Sequence, residues 1–132
     1  MGWTSYFVPS ASREALTKEL QRAFIEGYTV IDVAFCKRKY VGDGGYYKCA
    51  YAAVKDPNGN VYAEVMCYVA QHQYRGCYKL HTKYIPEDWG PCEQYCPEKI
   101  LRLLTPTNDE YALAWRDKCW ANARRTTNNE EE

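Results

Sequence analysis

The chain has 132 residues, enough for one domain and too few for two parts that each bury a core. Its apolar fraction of 46% excludes disorder over most of the length, and 17 basic residues against 17 acidic ones leave no formal net charge. That balance is not the footprint of a protein held on duplex DNA chiefly through phosphate contacts, although a local basic patch is compatible with it.

The segment Met1 to Pro9 reads as extended and packed against the body. A helix follows over Ser12 to Ile25, capped by Ser10 or Ser12, with Glu14 in the first turn where the helix dipole favours an acid. Leu16, Leu20, Ala23 and Phe24 recur at helical spacing and make one apolar stripe, and Gly27 fits as its terminator. The period then changes to two. Tyr28 to about Lys37 is predicted as a strand with Thr29, Ile31, Val33 and Phe35 on one face. After the turn Gly42-Asp43-Gly44-Gly45, a second strand spans Tyr46 to Lys55. Asp56-Pro57-Asn58-Gly59 signals a hairpin, because Asn-Gly accepts the positive φ that tight turns need.

The third strand, Val61 to about Ala70, places Val61, Ala63, Val65, Cys67 and Val69 opposite Tyr62, Glu64, Met66 and Tyr68. The loop Gln71 to Gly76 leads to a fourth strand, in which Tyr78, Leu80, Thr82 and Tyr84 alternate with Cys77, Lys79, His81 and Lys83. A short helix is predicted from Pro97, with Cys96 as cap and Ile100, Leu101, Leu103 and Leu104 on its apolar side. Thr107 and Glu110 form a capping box that opens a last helix to about Ala123, where Tyr111, Trp115 and Cys119 fall on one stripe. The fold class expected is therefore α+β: an N-terminal helix, a four-stranded antiparallel meander and two C-terminal helices on one sheet face. One domain is expected over 1–125, with a disordered acidic tail over 126–132.

Two compositional surpluses bear on function. The first is cysteine, present seven times. No apolar run is long enough to cross a bilayer, no signal-peptide pattern opens the chain, and Tyr6 stands where a myristoylation motif needs Ser or Thr. The expected location is thus the cytoplasm, with reduced thiols. Cys92 and Cys96, with Cys119 as a further donor, could supply zinc ligands, but tetrahedral coordination needs four and no second pair mirrors the first. Cys96 at a helix N-cap would have its thiolate favoured, yet spacing brings neither His72 nor His81 to it as a base. The preferred reading is buried structural cysteine, with no cofactor and no catalytic residue assigned. Glu87 and Asp88 likewise have no partner that spacing can assign, and no phosphate loop, dinucleotide fingerprint or nucleophile elbow is present.

The second surplus is tyrosine: thirteen, beside three phenylalanines. Tyr62 and Tyr68 share a strand face with Glu64, and tyrosines interleave with cations at Lys37-Arg38-Lys39-Tyr40, Tyr74-Arg75 and Tyr78-Lys79, a set that suits a protein interface or the stacking of single-stranded bases. The bland alternative is a half-exposed sheet face, which accepts Tyr readily. With no net charge, a protein partner is favoured over nucleic acid, and no membrane partner is expected.

Certain residues also carry a resemblance. The opening Met1-Gly2-Trp3-Thr4-Ser5-Tyr6, the segment Tyr51-Ala52-Ala53-Val54, and Gly90-Pro91-Cys92, Cys96-Pro97, Ile100-Leu101, Leu103 to Thr107, Tyr111-Ala112, Trp115-Arg116 and Cys119 are similar to one family. It is a set of small proteins of unknown function from phages, plasmids and integrated elements of bacteria. The likeness covers the first six residues and roughly the last third, and the helix Ser12 to Ile25 departs from the charged segment expected there. The resemblance implies a non-enzymatic binder of a host or element macromolecule, with inhibition of host defence as one role. It carries over no catalytic residue.

Overall fold

The computed structural model of the chain describes residues 6–9, 12–24, 26–39, 46–68, 77–80, 94–125 and 130–131. In chain order these form β1 (Tyr6–Pro9), α1 (Arg13–Ala23), β2 (Thr29–Lys39), β3 (Tyr46–Lys55), β4 (Val61–Tyr68), β5 (Cys77–Leu80), α2 (Glu98–Leu101), α3 (Glu110–Arg125) and β6 (Glu130–Glu131). The architecture is α+β. Every strand pairing is antiparallel, and the order across the sheet is β1-β5-β4-β3-β2-β6.

The sheet is wider than the expected four strands, because extended segments have joined both edges. On one side Tyr6 lies opposite Leu80. On the other, the tail expected to be disordered places Glu130 opposite Cys36 and Glu131 opposite Phe35. Apolar patterning gives no warning of such strands, since an open edge offers backbone N–H and C=O groups that any extended segment can satisfy.

β3 is the wall between two cores. Its alternate residues Ala50, Ala52 and Val54 join Leu16, Leu20 and Phe24 of the α1 segment, with Val30, Val33, Phe35, Met66 and Tyr78. The intervening Cys49, Tyr51 and Ala53 join Ala34, Val61, Ala63, Cys96, Ile100, Leu101, Leu104, Trp115 and Cys119. Three alanines on the central strand leave volume for the large side chains arriving from either side, as close packing requires.

Several local devices place these elements. Ser12 caps α1 by accepting from the Ala15 amide at 3.1 Å. Gln21 then ties the helix to the next strand: its Nε2 donates to the Tyr28 carbonyl at 2.6 Å and its Oε1 accepts from the Val30 amide at 2.7 Å. Gly27, at φ 97°, makes the reversal between them. In β2 the register steps from Val30↔Val54 to Asp32↔Ala53, so Ile31 is a bulge residue. Ile31 is 41% exposed, and the expected face of Thr29, Ile31, Val33 and Phe35 is corrected to Val30, Val33 and Phe35. The Asp32 carboxylate accepts from the Val33 amide at 2.9 Å beside the bulge. In the β3–β4 turn, Asp56 Oδ1 accepts from the amides of Asn58 and Asn60, both at 2.9 Å, and Gly59 takes φ 91°.

The C-terminal helices differ in detail from the sequence expectation. Pro97, not Cys96, is the N-cap residue of α2, and Cys96 is buried with its Sγ 3.8 Å from the Pro97 carbonyl. Leu103 lies past the end of the short helix and is exposed, while Leu104 is buried. Asp109 caps α3 by accepting from the Ala112 amide at 2.8 Å, and Thr107 instead accepts from the Asp109 amide at 3.1 Å. Aspartate one turn before the first buried residue outcompetes the more distant threonine. The buried stripe is accordingly Ala112, Trp115 and Cys119, and Tyr111 is 63% exposed.

Thr105 fastens this region to the sheet. Its Oγ1 accepts from the Val61 amide at 2.8 Å, its own amide donates to the Val61 carbonyl at 3.1 Å, and its carbonyl accepts from Arg116 at 2.7 Å. Thr105→Val keeps the shape but removes the acceptor, leaving the Val61 amide without that bond. The expected cost is about 1–3 kcal/mol, seen as a lower urea midpoint with an unchanged slope. Thr105→Ser, which retains the hydroxyl, is expected to recover most of it.

Candidate functional site

The basic and aromatic residues singled out by sequence do not form one surface. Tyr78 is buried, its ring stacked on Phe35 with centroids 5.6 Å apart and planes at 24°, in the core beneath α1. It is therefore removed from the candidate binding surface. Aromatic stacking and apolar burial claim a strand tyrosine wherever a helix covers that face. Tyr62 is half-buried on β4, opposite Val54, and Tyr68 pairs with Tyr78 at the end of the same strand. Tyr74 and Arg75 lie outside the described residues, as do His72, His81, Glu87, Asp88 and Cys92.

Lys37, Arg38 and Lys39 end β2, and the register sets them opposite Lys48, Tyr47 and Tyr46. Two strand ends thus bring four cationic residues and two tyrosines to one end of the sheet. Sequence inspection found the basic triplet but not its partners. The clue is in the chain: antiparallel pairing of consecutive strands that end at Lys39 and begin at Tyr46 sets those two residues opposite each other.

Three of the seven cysteines make a separate, buried cluster. Cys49, Cys96 and Cys119 are buried in the core shared with Tyr51, and none is in a disulfide. The Tyr51 hydroxyl accepts from the Tyr95 amide at 3.1 Å. Burial first, then the neighbouring Cys49 and Cys96, hold the Tyr51 proton well above the ordinary phenol value of 10.0. With Pro97 rather than Cys96 at the cap, the helix-terminus argument for an activated thiol loses its geometric basis. Among the described residues no three His, Cys, Asp or Glu side chains are grouped as a metal site would need. Nor is any described helix long and apolar enough to cross a membrane.

No family model, curated protein or solved structure matches this chain.

Proposed function

We propose that this chain is a non-enzymatic binding protein of phage or mobile-element origin, working in the bacterial cytoplasm, that engages a host or element macromolecule through the basic, tyrosine-bearing end of the β2–β3 hairpin. The observation that supports this reading is the register that opposes Lys37, Arg38 and Lys39 to Lys48, Tyr47 and Tyr46. On this reading the meander from β2 to β5, with α2 and α3 on a single face, is the frame that holds the hairpin end in place. The balance of 17 basic and 17 acidic residues favours a protein partner with an acidic surface, because a neutral chain gains little long-range attraction to nucleic acid. Inhibition of a host defence system is one role such binding would serve.

The test is copurification of the full chain and of a Lys37→Glu/Arg38→Glu/Lys39→Glu variant from bacterial cells, with thermal melts of both. The partner is expected to be lost from the variant while the melt stays within a few degrees. Retention of the partner by a folded variant rejects the reading. The same cluster of cations and aromatic rings also fits single-stranded nucleic acid. In that second case an oligonucleotide would bind with an affinity that falls steeply as salt rises.

A further inference from the structure

Asn58-Gly59 is the chain's only Asn-Gly pair, and both residues are exposed in the turn between β3 and β4. Asparagine carries a carbonyl carbon, Cγ, that the amide nitrogen of the following residue can reach to close a succinimide ring. Glycine as that following residue has no side chain to hinder the closure and the widest choice of backbone angles. In an unrestrained chain the reaction needs only water and hydroxide.

The turn holds the reacting groups back. The Gly59 amide donates to the Asp56 carbonyl at 3.0 Å, so the proton that must leave is engaged. The Asp56 amide donates to the Asn60 carbonyl at 2.8 Å and closes the turn from outside. Asp56 Oδ1 accepts from the Asn58 and Asn60 amides, which fixes the backbone on both sides of Gly59. Four hydrogen bonds thus converge on one aspartate. Its carboxylate also places negative charge near an amide that must become an anion to attack, and like charge disfavours that step. Pro57 removes one backbone rotation. The Pro57 ring lies against Gly27, where an added Cβ would come within 3.1 Å of Pro57 Cγ, so the turn is braced from the α1–β2 side as well.

We propose that Asn58 is a latent modification site, in which ring closure onto the Gly59 nitrogen is suppressed by the turn around Asp56 and released when that turn opens. The Gly59 nitrogen gives its proton to hydroxide and bonds to Asn58 Cγ. The Cγ–Nδ2 bond breaks, and ammonia leaves with a proton taken from water. Water then opens the ring, at Cγ to give aspartate or at the backbone carbonyl to give isoaspartate. One side-chain amide has become a carboxylate, and no electron has been transferred. Isoaspartate routes the main chain through the side chain and lengthens it by one atom before Gly59, which displaces the Gly59 amide from its bond to Asp56. The hairpin continues at once into Val61, whose amide and carbonyl are both bonded to Thr105. The product therefore loosens the hairpin end to which the segment between α2 and α3 is fastened.

The test follows the peptide containing Asn58 by mass spectrometry while the full chain stands in warm, mildly alkaline buffer. Chromatography separates its aspartate and isoaspartate forms. The same chain in urea above its unfolding midpoint gives the unrestrained rate. The folded chain is expected to convert about tenfold more slowly or less, the weight of one or two turn hydrogen bonds. Asp56→Ala is expected to remove most of that protection from the folded chain. Asp56→Asn, which keeps an oxygen acceptor, should retain more of it. Thermal melts of both variants establish that they are folded.

Equal rates with and without urea overturn the proposal. So does a folded Asp56→Ala chain that converts no faster than the wild type. Where Asp56→Ala does not fold, the comparison of the wild type with and without urea decides alone.

Discussion

Replacing Trp115 with alanine is expected to lower stability by about 3–5 kcal/mol, the usual result of emptying a large aromatic site in a core. Trp115 is buried among Ile100, Leu101, Leu104 and Cys119, facing the β3 residues Cys49, Tyr51 and Ala53. Small domains have total stabilities of about 5–15 kcal/mol, so this one truncation removes a large share. The comparison that gives the prediction its edge is Tyr111→Ala on the same helix. Tyr111 is exposed, and its truncation is expected to cost no more than about 0.5 kcal/mol. Parallel urea unfolding of both variants distinguishes the stripe Ala112-Trp115-Cys119 from the alternative spacing Tyr111-Trp115-Cys119. Equal losses would place Tyr111 in the core and contradict the structure.

Tyr51 is the second large effect, and it separates into two parts. Tyr51→Ala removes a fully buried ring and is expected to cost about 3–5 kcal/mol. Tyr51→Phe removes only the hydroxyl that accepts from the Tyr95 amide, and should cost about 1–3 kcal/mol. The phenol also gives the stability a pH signature. Burial raises its folded-state pKa well above 10.0. Below that ordinary value folded and unfolded chains both keep the proton, and this group contributes no slope. Above it the unfolded chain releases the proton while the folded chain holds it, so the unfolded state binds fewer protons and stability falls as pH rises. The limiting slope is about 1.4 kcal/mol per pH unit. It ends where the folded site ionises. Denaturation from pH 8 to pH 11, about the ordinary phenol value, should show the wild type losing its advantage over Tyr51→Phe with rising pH. A constant difference would mean that the hydroxyl is not sealed from water.

Much of the fold is legible in the sequence because local and global signals agree. Leu16, Leu20 and Phe24 sit where a helix spacing puts them, and the residues from Cys49 to Val54 alternate between two cores as a doubly covered strand must. Asp56-Pro57-Asn58-Gly59 turns where turn chemistry says it should. What escaped reading depends on information from elsewhere in the chain. Ile31 patterns like any strand residue until the pairing with β3 shows that it has no partner. β1 and β6 are fixed by backbone pairing with remote edges, to which side-chain pattern is blind. The candidate site is split in the same way. Lys37, Arg38 and Lys39 were visible as a basic triplet, but Tyr46, Tyr47 and Lys48 became their neighbours only through register. Tyr78 looked like surface because nothing local tells a tyrosine which face a helix will cover.

The position of β3 between two cores has a consequence for how the molecule opens. Its backbone groups are shared with β2 on one side and β4 on the other, while its side chains serve opposite layers. Neither layer can come apart without exposing a strand that the other needs, so the two halves are bound into one cooperative unit rather than two foldons. The amides of residues 50–54 should therefore exchange with solvent only when the whole protein unfolds. Fraying at either edge of the sheet, where β1 pairs with β5 and β6 with β2, leaves this central unit intact.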